Sequence, residues 1–314
     1  MKNILLIGGF GFIGSNILRY IDKYLVNEYR VIVLDRFETH PHNLKFSCIS
    51  KVYSGDFSDN LFVRKPFEEY KFDIVIHSLS ATIPTNSDNI FFDIDSNLKP
   101  TIDLLNIMVE FGVFNIIYIS SGGAIYGNNL TNKLHSELEN VFPHSSYGII
   151  KLAIEKYLYQ YSFLYGISPL ILRLSNPYGS YHYSTKQGVI NVALRKALSE
   201  TVFQVWGDGE ARKDYIYIDD FCEILFILIK MNHYKDLINV GSSNILSVND
   251  ILIKIKGLAP TFQWNYNSSN KYDINYFELD ISHLKGIIGD YSFTNFDEGL
   301  LKTLNWLKDT DSNN

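Results

Sequence analysis

Three glycines, Gly8, Gly11 and Gly14, stand between the apolar run Ile4 to Ile7 and a helix-patterned stretch from Gly14 to Tyr24. A short, continuously apolar run is what a parallel strand buried on both faces requires. Glycines at that junction allow a tight turn, a close backbone approach to a ligand and close packing of helix on strand. The helix N-terminus then offers unpaired N–H groups and a positive dipole end to phosphates. Here the spacing is G-x-x-G-x-x-G rather than the commoner G-x-G-x-x-G. A second strand, Arg30 to Leu34, ends at Asp35, 21 residues after Gly14. A carboxylate at that strand end takes the adenosine ribose hydroxyls of a dinucleotide. It also repels a 2′-phosphate, which favours NAD over NADP, and Arg36 beside it partly offsets that repulsion. Asp56, after a weak third strand at Lys51 to Tyr53, either bonds the adenine amino group or forms a turn.

Strand-like and helix-like runs alternate onward. Strands are expected at Asp73 to Ser78, Asn115 to Ile119 and Ser168 to Leu174, and helices at Asn97 to Phe111 and Ser146 to Tyr165. Repeated β-α-β units give a parallel sheet with right-handed crossovers and helices on both faces. The fold class is therefore α/β, a doubly wound (Rossmann) parallel sheet with a smaller C-terminal α/β substrate lobe. The expected division is a dinucleotide-binding domain over 1–176, with a return segment near 215–241, and a substrate lobe over 177–214 and 242–314. In that second part a helix is expected over Gly188 to Ser199, a turn at Trp206 to Gly209, strand patterning at Tyr215 to Ile218 and a strand at Ile238 to Val240. Residues Asp309 to Asn314 are expected to fray.

Composition narrows the function. The net charge of -6 leaves no basic excess for nucleic acid. The eight histidines and two cysteines show no zinc spacing, so no metal is expected. Cys48 and Cys222 lie in apolar stretches and read as reduced core residues, which fits a cytoplasmic protein. The apolar run Phe221 to Met231 is too short to cross a bilayer, and no membrane segment or leader is expected.

Tyr147 and Lys151, at i and i+4, share one helical face. A free tyrosine has a pKa near ~10. A neighbouring ammonium and a cationic nicotinamide favour the phenolate and bring Tyr147 toward proton-shuttle range. Ser121, where the fifth strand ends, places a hydroxyl at the carboxyl edge of the sheet. His77 and Asn97 read as structural, a satisfied core histidine and a cap or buried polar anchor.

With these residues in place, the chain resembles the nucleotide-sugar epimerase/dehydratase family of extended short-chain dehydrogenase/reductases, in particular its UDP-glucose 4-epimerase-like members. The resemblance runs through Gly8 to Gly14, Asp35, Gly55-Asp56, Ser120-Ser121, Tyr147 and Lys151, Asn176 to Gly179, Asp214 to Asp220 and Asn239 to Gly241. It implies a catalytic triad of Ser121, Tyr147 and Lys151. It implies NAD held by Gly8, Gly11, Phe12, Ile13, Gly14, Asp35, Arg36, Asp56, Phe57, Leu79, Ser80, Tyr147, Lys151 and Pro177. It implies a nucleotide sugar met by Ser121, Gly122, Tyr147, Asn176, Val189, Arg212, Lys213 and Asp280. It implies a homodimer paired through the two long helices, and a place in polysaccharide biosynthesis. Two departures stand out. Counted back from Tyr126, the hydroxyl position falls on Gly122; counted along the strand, it falls on Ser121, and strand geometry favours the latter. Lys213 stands where the family usually has Arg, with Arg212 adjacent.

The family's dehydratases carry an Asp-Glu pair directly after the catalytic hydroxyl. Gly122 and Gly123 stand there, and neither exchanges a proton, so water loss is not expected. The expected reaction is 4-epimerisation of a UDP- or dTDP-hexose through a 4-keto sugar. The alternatives are reduction of a nucleotide-linked 4-keto-6-deoxy sugar by NAD(P)H and, in another class, a non-catalytic dinucleotide sensor.

Overall fold

The computed structural model describes residues 1–82, 89–127, 133–268 and 276–311. They form two compact units. The first comprises Met1–Ile125, Pro143–Arg173 and Leu225–Ile238; the second comprises Tyr126–Phe142, Leu174–Ile224 and Asn239–Asn314.

The first unit is built on strands β1 (Lys2–Ile7), β2 (Tyr29–Asp35), β3 (Ile49–Ser54), β4 (Ile74–His77), β5 (Asn115–Ser121) and β6 (Ser168–Leu174). Helix α1 (Phe12–Tyr20) follows β1 and widens into a π-helical turn over Ile21–Leu25. Helices α2 (Asn60–Glu69), α3 (Ile90–Asp93), α4 (Lys99–Glu110), α5 (Gly122–Ile125) and α6 (Ser146–Tyr165) complete it. With β10 (Asp236–Val240) at one edge, the sheet order is β10-β6-β5-β4-β1-β2-β3. The pairs β1–β2, β2–β3, β1–β4 and β4–β5 are all parallel. The chain therefore runs outward from β1 in one direction and resumes at β4 in the other. Ligands of doubly wound sheets bind at that switch point, beyond the carboxyl ends of the strands. Both faces of the sheet are covered: Ile4, Leu5, Leu6 and Ile7 have no exposed surface, as the unbroken apolar run predicts.

The second unit contains β7 (Asn176–Tyr178), α7 (Val189–Leu198), β8 (Phe203–Trp206), β9 (Arg212–Tyr217), β11 (Ile245–Ser247), α9 (Val248–Leu258), β12 (Trp264–Asn267), β13 (Tyr276–Phe277), α10 (Ser282–Ile288) and α11 (Phe296–Asp311). Helix α8 (Ile218–Lys230) precedes β10. Strand β9 pairs with β7, β11 and β13, and β8 pairs with β12. The core of this unit gathers Tyr178, Leu194, Tyr215, Ile251, Phe262 and Leu304.

Some elements go beyond the sequence reading or depart from it. Helix α2 was not expected, because Pro66 interrupts its pattern; Asp59 caps it, accepting from the Leu61 and Phe62 N–H groups. The apolar run from 221 belongs to helix α8 up to Lys230, and, as expected, among the described residues no helix is long and apolar enough to cross a membrane. Helix α11 continues through Asp311, where fraying was expected, and residues 312–314 lie outside the described chain. Cys48 and Cys222 are free and buried.

Candidate active site

The glycine turn is shaped by close approach. Gly8 has φ +78, and a Cβ there would lie 2.9 Å from the Leu79 backbone. A Cβ on Gly14 would lie 2.3 Å from the Gly8 carbonyl oxygen, so β1 and α1 meet at a distance only glycine permits. The α1 N-cap, Gly11, carries no side-chain cap. Phe12, Ile13 and Gly14 thus open a helix whose N-terminal dipole end no side chain of its cap covers.

Asp35 ends β2 and is nearly fully buried. Its Oδ2 accepts from the Phe10 N–H at 3.0 Å, and Oδ1 accepts from the Phe37 N–H at 3.3 Å. Burial raises its carboxyl above the usual range, against those backbone hydrogen bonds and the Arg36 charge. The Gly55 N–H donates to the Asp35 carbonyl at 3.0 Å, which brings the third strand's end alongside. Asp56 closes a turn there: its Oδ1 accepts from the N–H and the hydroxyl of Ser58, and these bonds hold its carboxyl below the usual range. The Phe57 side chain belongs to the core, edge-on to His77 at 5.2 Å. Arg36 is exposed, its guanidinium 5.7 Å from the Phe37 ring centre.

A small cavity of about 10 Å³ opens beyond β4 and β5, lined in part by His77, Leu79, Ser80, Tyr118, Tyr147 and Lys151. Asn97 and Thr101 also line it. Asn97 is the buried anchor rather than the cap: its Oδ1 accepts from the Ala81 N–H at 2.8 Å, and its amide donates to the Asp93 carbonyl. His77 Nε2 lies 3.0 Å from the Thr101 hydroxyl. Burial, and after it the charge of Lys151, holds the imidazole down at about 3, so His77 is neutral at working pH.

Helix α6 starts at the Ser145 cap, whose hydroxyl accepts from the Gly148 N–H at 3.1 Å. That start sets Tyr147 in the first turn. The Tyr147 phenol is pushed up to about 12 by burial, and a hydrogen bond with the Ser121 side chain opposes the rise. Ser121 is the last residue of β5, whereas Gly122 opens α5. The strand register therefore brings the hydroxyl to Tyr147. Lys151 is buried and donates to the Ile119 carbonyl at 2.8 Å. Its Nζ lies 4.8 Å from the Tyr118 ring centre and 5.7 Å from that of Tyr147. Burial lowers its ammonium to about 8, and Glu155 opposes the fall. The sequence reading had the ammonium and a cationic nicotinamide favouring the phenolate and bringing Tyr147 toward proton-shuttle range. In the protein without a bound nicotinamide burial prevails, and the phenol is raised instead.

The structure thus places the glycine turn, Asp35, Arg36, Asp56, Phe57, Leu79, Ser80, Ser121, Gly122, Tyr147 and Lys151 in the first unit. The remaining expected residues belong to the second. Asn176 in β7 donates to the Asp214 carbonyl at 2.8 Å. Pro177 follows it on the strand that pairs with β9. Val189 opens α7. Arg212 on β9 is exposed and pairs with Asp250 at 3.4 Å, while Lys213 is half-buried. Asp280 accepts from the Ser282 N–H at 2.9 Å, and hydrogen bonds from the Ser282 side chain and then its N–H hold its carboxyl below the usual range. Tyr118, Thr101, Glu155 and Arg173 were not singled out from sequence. Only Glu155 carried a signal there, as the next i+4 step after Tyr147 and Lys151.

A model of the NAD dependent epimerase/dehydratase family matches residues 4–241. The chain belongs to that family. A relative in Methanocaldococcus jannaschii, named a putative UDP-glucose 4-epimerase, is 31% identical over 310 residues, covering 97% of this chain and 98% of its own. The dTDP-4-dehydro-6-deoxyglucose reductase of Escherichia coli is 27% identical, covering 92% of this chain and 89% of its own. The crystal structure of the Thermotoga maritima UDP-glucose 4-epimerase with UDP-glucose superposes with a TM-score of 0.89 at 28% identity, covering 98% of this chain and 99% of that one. The cofactor of the family is NAD. The first unit fits it: the turn admits no side chain between strand and helix, the α1 N-terminus is uncapped, and Asp35 is held at the end of β2.

Proposed function

We propose that this chain is an NAD-dependent 4-epimerase of a nucleotide-linked hexose, with a UDP-hexose as substrate. The observation that carries the reading is the hydrogen bond between Ser121 and Tyr147 at the rim of the cavity that Lys151 lines. Gly122 and Gly123 follow directly and offer no carboxylate for elimination. NAD supplies a hydride acceptor and donor at that cavity. Tyr147 takes the proton of the C4 hydroxyl as the sugar is oxidised and returns it to the same oxygen when the 4-keto sugar, turned in the site, is reduced from its other face. Ser121 holds the sugar oxygen by hydrogen bond, and Lys151 provides the positive charge that favours the phenolate.

In this reading the first unit is the dinucleotide domain. Gly8, Gly11, Phe12, Ile13 and Gly14 meet the pyrophosphate, Asp35 and Arg36 the ribose, Asp56 and Phe57 the adenine end, and Leu79 and Ser80 border the cofactor. Gly122 adjoins the sugar. In the second unit Asn176, Val189, Arg212, Lys213 and Asp280 meet the nucleotide. The names of the two epimerases compared above support the reaction. The likeness to the E. coli reductase supports the second reading, single reduction of a 4-keto sugar by the same Ser121, Tyr147 and Lys151.

The deciding experiment uses protein purified without added cofactor. The protein is denatured, any dinucleotide released is identified, and native enzyme is offered UDP- and dTDP-hexoses under NMR. Retained NAD with epimer formation is expected. An empty protein that turns over only a 4-keto sugar plus NAD(P)H overturns the epimerase in favour of the reductase. Full turnover by Tyr147→Phe overturns Tyr147 as the proton shuttle in both readings, and a bound dinucleotide with no turnover of any sugar offered leaves the sensor.

The same reading makes the chain a homodimer. The exposed apolar side chains Ile149, Phe163 and Leu164 of α6, with Phe163 88% accessible, support that reading. Sedimentation is expected to give twice the chain mass of 36.1 kDa; a single-chain mass at micromolar concentration overturns it.

A further inference from the structure

Beneath Lys151, one turn further along α6, Glu155 has no exposed surface at all. Its Oε1 accepts from the Ser120 hydroxyl at 2.7 Å and from Arg173 Nε at 3.1 Å, and its Oε2 accepts from Arg173 Nη2 at 2.7 Å. Arg173 on β6 is itself buried. The interior here holds two cations, Lys151 and Arg173, and one carboxylate. Burying a charge costs several kcal/mol unless a partner and hydrogen bonds compensate it. The other titratable groups around Lys151 supply no negative charge. His77 from β4 is neutral, and the phenols of Tyr118 on β5 and Tyr147 on α6 are both pushed up by burial.

We propose that Glu155 is a positioning residue for Lys151: its carboxylate, fixed by Ser120 and Arg173, keeps the buried Lys151 in its ammonium form and thereby sets the charge that Tyr147 feels. Tyr147, Lys151 and Glu155 follow at i, i+4 and i+8, so one helical face carries proton shuttle, cation and counter-charge in sequence. The downward pressure of burial on Lys151, with Glu155 opposing it, agrees with this placement. A merely structural Glu155–Arg173 pair, pinning α6 to β6, would leave the charge of Lys151 indifferent to which partner is removed.

The proposal rests on the reading of Lys151 as the source of charge beside Tyr147, but its test reads Lys151 directly. Competitive acetylation with acetic anhydride, followed by peptide mass spectrometry over a pH series, gives the midpoint at which Lys151 becomes a neutral nucleophile. The full-length protein without added cofactor is used. Glu155→Gln removes the carboxylate charge and is expected to move the midpoint down by about 1 pH unit or more. Arg173→Gln leaves the carboxylate without its competing cation and is expected to move it up. Opposite shifts from the two halves of one ion pair are not produced by loosened packing. If Glu155→Gln does not fold, Arg173→Gln decides alone. An unmoved midpoint, or a shift of the same sign in both, overturns the proposal whether or not any sugar is turned over. Failure to epimerise, with the opposite shifts intact, overturns only the proposed reaction.

Discussion

Tyr147 faces two opposing demands. Burial favours its neutral phenol, and the chemistry proposed for it needs the phenolate. The Ser121 hydrogen bond acts against burial, the proposed function adds the Lys151 charge to it, and a proton shuttle placed this way contributes about 10²–10⁴-fold in rate. Tyr147→Phe is therefore expected to lower turnover by about that factor while the dinucleotide stays bound, since the glycine turn and Asp35 are untouched. Turnover by NMR and cofactor content after denaturation check the two halves separately. At this scale much was legible. Tyr147, Lys151 and Ser121 followed from spacing and strand register, because a helix period and a strand period fix which side chains share a face. The state of those groups was not legible. Burial of Lys151 against Ile119 and of Tyr147 beside Ser121 depends on neighbours supplied by β5, and a linear pattern does not carry them. Arg173 was hidden for the same reason, as one charge inside an apolar strand whose partner is 18 residues away.

Helix α6 is positioned by its first turn. A Cβ on Gly148 would lie 2.3 Å from the Ala124 carbonyl oxygen, so the helix packs on the α5 backbone with no room for a methyl group. Gly148→Ala is expected to force α6 away from β5 and carry Tyr147 with it. Overpacking of this kind costs about 1–3 kcal/mol, and a displacement of about 1 Å at a reacting group costs about 10²-fold in rate. Ser145→Ala makes the contrast. It removes the cap bond to Gly148 at about 1 kcal/mol without adding bulk, so stability falls while turnover stays within a few-fold, about 1 kcal/mol or less in barrier. Denaturant titration and initial rates on both variants separate positioning from stability; equal rate losses would show that the cap, not the close approach, places Tyr147. Elements with a strong period, such as α6 and β6, coincide with the expected ranges. Those whose pattern is broken do not: Pro66 masks α2, and the π-helical turn at Ile21–Leu25 shifts the phase of α1.

The stability of the whole molecule depends on buried groups that titrate in opposite senses. His77 is held at about 3 against an ordinary value of 6.5. Between those values the unfolded chain binds a proton that the folded chain does not, so His77 makes stability rise with pH across that window and fall as the solution is acidified. Asp214 is raised by burial from 3.8 to about 7, against the hydrogen bonds it accepts from Ser242. Between those values the folded chain binds the extra proton, so Asp214 makes stability fall with rising pH. The two contributions overlap from about 4 to 6.5 and offset one another there. Two single substitutions therefore tilt the pH profile in opposite directions. His77→Gln is expected to flatten the rise of stability with pH by up to about 1.4 kcal/mol per pH unit, the weight of one proton. Asp214→Asn is expected to steepen it by a similar amount, and to leave the slope above about pH 7 unchanged, where both states of Asp214 are ionised. Urea midpoints measured through this range read the slopes directly. Parallel profiles for the two variants would mean that neither group keeps its shifted proton affinity in the folded protein.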